Sequence, residues 1–170
     1  MDKALEQLVQ RAKERDPDAF TELMESQKHA LYKVARSILR NDEDAADAIQ
    51  DTILTCWEKL EMLKENSFFR SWITRILINK CYDLMNSQKN VVYMEEYPEV
   101  PAKEDVSDAE WKEILSVLEE DERLTVTLYY VQGFRTKEIA RILRITDSAV
   151  RTRLSRAREK LRKFYQEAER

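Results

Sequence analysis

The 170-residue chain is 43% hydrophobic and 36% charged, with a net charge of −4, a composition too apolar for a disordered segment. Two cysteines are too few for a disulfide scaffold, and no apolar run approaches the roughly 18 residues of a membrane span. One glycine and three prolines leave little turn material for a sandwich, a barrel or a phosphate-cradling loop, so the expected fold class is all-α.

The opening stretch MDKALEQLVQRAKERD is charged throughout, unlike an export signal or an inserted helix, which places the chain in the cytoplasm. It predicts a short helix around Ala4 to Ala12. Asp16-Pro17-Asp18 then supplies a cap, a proline suited to the first helical turn and an acid near the positive helix end. Phe20, Leu23, Met24, Leu31, Val34, Ala35, Ile38 and Leu39 recur at helical spacing as far as Arg40-Asn41. Asp42 or Asp44 opens another helix, with Ala45, Ala46, Ile49, Ile53, Leu54, Trp57 and Leu60 as its apolar face. Asn66-Ser67 caps the next, which carries Phe69, Trp72, Ile73, Ile76, Leu77 and Leu84. None of these amphipathic helices is stable alone in water, so residues 1–88 are expected to form a four-helix domain. Cys56 and Cys81 fall on apolar faces and read as buried thiols rather than a bridge or a redox pair.

Residues 89–108 hold Pro98, Pro101 and many acids without a sustained period, and are expected to be an extended acidic linker. Periodicity resumes at Ala109 with Trp111, Ile114, Leu115 and Leu118, giving a small helical domain over 109–170. Charge is distributed unevenly. From Tyr93 to Arg123, 12 acidic residues stand against three basic ones; from Gly133 to Lys163, 11 basic residues stand against three acidic ones. The basic stretch carries +8, which leaves −12 for the remainder. Blocks of opposite sign imply modules with different partners, although a basic run alone is also what a solvated helix face looks like.

The basic stretch has the spacing of a helix-turn-helix. Ile139, Ala140, Leu143, Ile145, Val150 and Leu154 pack one short helix across the next, and Ala140 is small enough for a close crossing. Thr136 caps the first helix, and Thr146 or Asp147 the second. Arg151, Thr152, Ser155, Arg156 and Arg158 then share the exposed face of the second helix, which fits a major groove about 12 Å wide. Flanking Arg141, Arg144, Lys160, Arg162 and Lys163 suit phosphates. The turn holds Arg144 where glycine is common. Either that residue is left-handed, at a cost of about 1 kcal/mol, or the turn has a different shape.

With these motifs in view, DERLTVTLYYVQGFRTKEIARILRITDSAVRTRLSRAREKLRKF resembles the C-terminal, sigma4-like domain of bacterial RNA polymerase sigma factors of the extracytoplasmic-function (ECF) group. DAADAIQDTILTCWEKL (Asp44 to Leu60) resembles the family's polymerase-docking helix, and SFFRSWITRILINKCYDLMNSQKN (Ser67 to Asn90) its −10-reading helix, both within a sigma2-like domain. The likeness covers nearly the whole chain, without the family's middle domain. It implies partners: core RNA polymerase, promoter DNA and an anti-sigma factor, often membrane-anchored, that wedges between or wraps the two domains. No cofactor is expected; the acidic cluster Asp44, Asp47, Asp51 and Glu58 has no His nearby and no Glu-x-x-His pair, which argues against a metal, and no apolar run is long enough for membrane insertion.

The resemblance also implies residue roles. Asp47, Gln50 and Asp51, with Ile49, Ile53 and Leu54 partly inside, would dock on basic polymerase clamp helices. The loop Glu61 to Phe68 would take a base flipped from the melted strand, with Phe68, Arg70, Arg75, Asn79 and Lys80 contacting that strand. This helix ends in Asn86-Ser87-Gln88-Lys89 where many relatives have a basic cluster. Arg151, Thr152, Ser155 and Arg156 would read the −35 element, with Thr146, Ser148 and Arg144 near phosphates. Arg153 and Arg158 would tie the helix to the acidic run Glu119-Glu120-Asp121-Glu122. The acidic linker would thread toward the RNA exit path and mimic nucleic-acid charge.

Two other classes compete. A stand-alone helix-turn-helix regulator with a helical dimerisation or sensing module would bind a palindromic duplex without polymerase. A helical enzyme has little support: His29 is the single histidine, and no catalytic triad, phosphate loop or ligand cluster occurs.

Overall fold

The computed structural model describes residues 2–88 and 106–169, which divide between two compact units, Met1–Ser87 and Gln88–Arg170. Among the described residues all regular structure is helical. No described helix is long and apolar enough to cross a membrane.

In the N-terminal unit, α1 (Lys3–Lys13) opens on Asp2, whose carboxylate accepts from the Ala4 N–H at 3.0 Å. α2 (Pro17–Ile38) opens on Asp16 as expected, with N–H bonds from Asp18 and Ala19 at 3.0 and 3.2 Å. The Ala19 bond first, then the Arg11 guanidinium 3.0 Å away, hold the Asp16 carboxyl below the usual carboxylate range. α3 (Asp42–Lys59) opens at Asp42, the first of the two expected starts, and its cap is Asn41, whose side chain accepts from the Asp44 N–H at 2.8 Å. Asp42 is held instead by Arg36 at 3.3 Å and by the Tyr32 hydroxyl, which together close the α2–α3 turn.

The apolar face of α3 is corrected. Ala45, Ala48, Ile49, Thr52, Cys56 and Leu60 are buried, whereas Ala46 is exposed and Leu54 is 62% exposed. Thr52 can occupy the core because its hydroxyl donates to the Ala48 carbonyl at 2.7 Å, leaving no unpaired polar atom. Two 3₁₀ turns, Leu60–Met62 and Asn66–Phe68, lead into α4 (Phe69–Gln88). Asn66 does not serve as the cap of α4; its amide donates to Gln10 of α1 at 3.0 Å. Val9, Leu23, Leu31, Val34, Phe69, Ile73 and Leu77 form the buried centre, each worth about 1.5–3 kcal/mol of transfer free energy. Cys56 and Cys81 are free and fully buried, and burial pushes both thiols up to about 12, away from thiolate chemistry.

In the C-terminal unit, α5 (Val106–Ser116) begins before the expected end of the linker, so residues 106–108 are helical. The rest of the expected linker, residues 89–105, lies outside the described residues. α6 (Glu120–Val126) runs into a π-helical turn, Thr127–Val131, that ends before Gly133. Gly133 has φ +72, a conformation that side chains disfavour. α7 (Thr136–Leu143) and α8 (Asp147–Ala168) are the helix-turn-helix pair, packed through Ile139, Ile142, Val150 and Leu154.

Thr136 opens α7 without capping it. The Glu138 carboxylate accepts from the Arg135 N–H at 2.9 Å, so the box is closed from the third residue inward. Arg144 has φ 56 and ψ 45, the left-handed alternative of the two open at this turn, and the Ile145 N–H returns to the Ala140 carbonyl at 3.0 Å. Arg144→Gly is therefore expected to raise the unfolding free energy of this unit by about 1 kcal/mol, read as a shift in thermal or urea midpoint. A loss of stability would contradict this account of the turn.

Candidate nucleic-acid interface

α8 begins at Thr146, whose hydroxyl accepts from the Ala149 N–H at 3.1 Å. Its core stripe is Val150, Leu154 and Ala157, all buried. Ser148, Arg151, Thr152, Ser155 and Arg156 are exposed on the other side, as are Arg144 and Thr146 at the turn. The residues expected to read DNA are thus brought together on one solvent face. Within that face, Thr152 donates to the Ser148 carbonyl at 3.0 Å, and Arg151 pairs with Asp147 at 3.0 Å.

The tie to the acidic run is only half as expected. Arg153 lies 3.8 Å from Asp121. Arg158 is a correction, for it meets tyrosines instead of acids. Its Nε donates to the Tyr130 hydroxyl at 2.9 Å, and its guanidinium sits 5.6 and 5.9 Å from the Tyr129 and Tyr130 ring centres. The Tyr130 bond is the main reason its pKa is raised further. Lys160 is a second correction. Expected at a phosphate, it bonds the buried carboxylate of Glu122 at 2.6 Å and lies 3.8 Å from Glu119. That bond holds the ammonium above its ordinary range. A carboxylate as buried as Glu122 needs a cation, and Lys160 supplies it. Arg141, Arg162 and Lys163 remain exposed, with Lys163 3.8 Å from Glu159.

In the N-terminal unit, the buried stripe of α4 is Phe69, Ile73, Thr74, Leu77, Ile78 and Cys81. At 100° per residue, Phe68, Trp72, Arg75 and Asn79 line up on the opposite side. Phe68 is 55% exposed, Asn79 is exposed, and Trp72 is half-buried with its ring 6.3 Å from Phe69. Arg70 and Lys80 do not join this line: the spacing carries them toward the buried side, and both are half-buried.

The loop before α4 has an anchorage that sequence reasoning missed. Lys13 donates to the Leu63 carbonyl, while Arg15 bonds the Trp57 carbonyl at 2.6 Å and Glu61 at 3.0 Å. Arg15 also lies 4.8 Å from the Trp57 ring centre and takes φ 65. Met62 projects from this loop at 72% exposure. The two basic residues at the end of α1 were the visible signal, but contacts some 45 residues away have no local signature.

On α3, Asp47, Gln50, Asp51, Leu54 and Glu58 form one exposed stripe, and Ile49 and Ile53 border it. The two isoleucines line a groove of about 100 Å³ with Met24, Glu25, Lys28 and Leu31 of α2. Among the described residues no three His, Cys, Asp or Glu side chains come together as a metal site.

Comparison with known proteins places the chain in a family. Residues 23–91 match Sigma-70 region 2 and residues 109–161 match Sigma-70, region 4. The chain is 30% identical to the RNA polymerase sigma factor NccH of Alcaligenes xylosoxydans xylosoxydans, covering 96% of each protein. It covers 40% of RfaY, a probable RNA polymerase sigma factor of Xanthomonas campestris, at 28% identity over 85% of its own length. Among solved structures, CnrH in complex with the cytosolic domain of CnrY shares 27% identity, with a TM-score of 0.73 and coverage of 96% and 98%. The sigma factor RpoE in complex with the anti-sigma factor NepR, from Bartonella quintana, shares 27% identity, with a TM-score of 0.72 and coverage of 86% and 96%.

The Lys160–Glu122 bond gives a direct test. Lys160→Met should lower the melting temperature of the C-terminal unit clearly more than Lys163→Met, because only the first strands a buried carboxylate. Equal melting temperatures would show that the bond contributes nothing.

Proposed function

The chain belongs to the extracytoplasmic-function group of the sigma-70 family of bacterial RNA polymerase sigma factors, and from that premise we propose how its two units divide promoter recognition. As a transcription initiation factor it binds core RNA polymerase and directs promoter-specific initiation. It has no catalysis of its own, and it works in the cytoplasm, where polymerase and chromosome meet.

The observation that carries this reading is the two-sided α8. Arg151, Thr152, Ser155 and Arg156 read base edges of the −35 element, while Thr146, Ser148 and Arg144 meet phosphates at the start of the helix. Residues 109–170 serve as the −35 domain and residues 1–88 as the docking and −10 domain. In the latter, Phe68 and, on α4, Arg75 and Asn79 face the melted strand along one line, whereas Arg70 and Lys80, turned toward the buried side, take no part in that line. Lifting a base into the neighbouring loop costs a few kcal/mol, offset by stacking and pocket contacts. The acidic stripe Asp47, Gln50 and Asp51, with Leu54 at its centre and Ile49 at its border, docks on a basic polymerase surface. Charge complementarity there speeds encounter and fixes register more than it adds affinity.

A regulatory partner follows from the same likeness. We infer an anti-sigma factor, itself often held at a membrane, that occupies one of these surfaces until released. The likeness in both units, in the order of the family's regions, favours this reading over a stand-alone dimeric regulator.

The defining experiment is transcription with purified core polymerase. Adding the chain should produce initiation at discrete promoters; a chain that binds a palindromic duplex alone and never directs polymerase would contradict the reading. Arg156→Ala should cost about 1–3 kcal/mol of binding at a matching −35 sequence and much less at a mismatched one. Asp51→Lys should weaken polymerase binding in a pull-down or titration while the helical circular dichroism and melting temperature stay unchanged.

A further inference from the structure

Asp147 is the first residue of α8, yet it leaves the capping to Thr146, so its carboxylate is available for another task. Oδ2 lies 3.0 Å from a terminal guanidinium nitrogen of Arg151, one helical turn along. Oδ1 is enclosed and makes no hydrogen bond among the described residues. The two side chains differ in freedom, at 30% exposure for Asp147 and 68% for Arg151. A short, half-enclosed acid therefore anchors a long, solvated base.

We propose that Asp147 is a positioning residue that aims Arg151 at a base edge and withholds it from phosphates, narrowing the sequence preference of α8. This rests on the reading of α8 as the −35 reader. An arginine has five N–H donors in a fixed fork, so a carboxylate on one terminal nitrogen leaves donors free for the O6 and N7 acceptors of guanine. Without that partner, the exposed side chain of Arg151 turns to the nearest phosphate, which adds affinity but carries no sequence information. The carboxylate also repels the DNA backbone at every sequence alike. Asp147 thus weakens binding everywhere while raising the difference between right and wrong sites, the pattern expected of a specificity device. An acid in the first turn also favours the helix dipole, but that role moves binding to all sequences together.

The test uses the full chain bound to core RNA polymerase. Promoter duplexes with a randomised −35 element and a fixed −10 element are selected by the wild type and by Asp147→Ala, Arg151→Ala and the double variant. Asp147→Ala should flatten the preference at one base pair by about fivefold or more, the low end of what one base contact contributes. The same base pair should be flattened by Arg151→Ala. Asp147→Ala should also bind mismatched duplex more tightly, and its log–log salt slope should steepen by about one phosphate. In the double variant, loss of Asp147 should change that preference no further. Asp147→Glu should restore most of the preference, and Asp147→Asn offers a near-isosteric neutral variant if alanine destabilises the unit.

The failures are separable. If Arg151→Ala flattens one base pair and Asp147→Ala changes matched and mismatched duplexes equally, the positioning role is overturned and the −35 reading stands. If Arg151→Ala leaves every base pair unchanged, the base-reading role of Arg151 falls and the proposal falls with it.

Discussion

α8 has to satisfy two environments along one length, and the C-terminal unit is organised around that demand. Val150, Leu154 and Ala157 recur at steps of four and three and are buried against α6 and α7. Most positions between them, Arg151, Thr152, Ser155 and Arg156, then point to water. Burial of three small or medium side chains is a modest gain in so small a unit, so polar ties supplement it: Lys160 to Glu122, Arg153 to Asp121 and Arg158 to the two tyrosines. Each of these uses a cation that the charge count alone assigns to DNA. What remains unengaged by the core, centred on Arg151 and Arg156, is a narrower and better-defined patch than the eleven basic residues of that stretch suggest.

The N-terminal unit follows the same logic with different chemistry. Its helices bury one stripe each, and the stripes left outside are acidic and apolar on α3, aromatic and polar on α4. Between the two helices runs a short segment of two 3₁₀ turns joined by residues 63–65. It is fixed from outside, by α1 and the turn after it, through Lys13, Arg15 and the Gln10–Asn66 pair. A loop so held presents Met62 and Phe68 to solvent without burying them, which an apolar side chain does at a cost unless another surface covers it.

Most helices were legible because their apolar residues recur at helical period over long stretches, as in Leu23, Leu31, Val34 and Ile38 of α2. Capping was less legible where several polar residues compete. Asn41, Asp42 and Asp44 all suit a cap, and only the backbone path selects Asn41. Leu54 and Thr52 show the limit of hydropathy: the threonine satisfies its own hydroxyl and goes inside, and the leucine turns outward. The site on α8 was readable as a face, since four residues of the right kind sit at helical spacing. The assignments of Arg158 and Lys160 failed because their partners, Tyr130 and Glu122, lie 28 and 38 residues away. Sequence spacing carries no information about such distant pairs.

The central claim is that two separate helical faces of one chain touch two separate promoter segments when polymerase is present. Photocrosslinking tests it most directly, with a photoreactive residue placed at Ser155 on α8 or at Asn79 on α4 in the polymerase complex. The account predicts that Ser155 crosslinks to duplex at the −35 element and Asn79 to the −10 strand. Crosslinks from both positions to one and the same segment, or an identical pattern without polymerase, would contradict it.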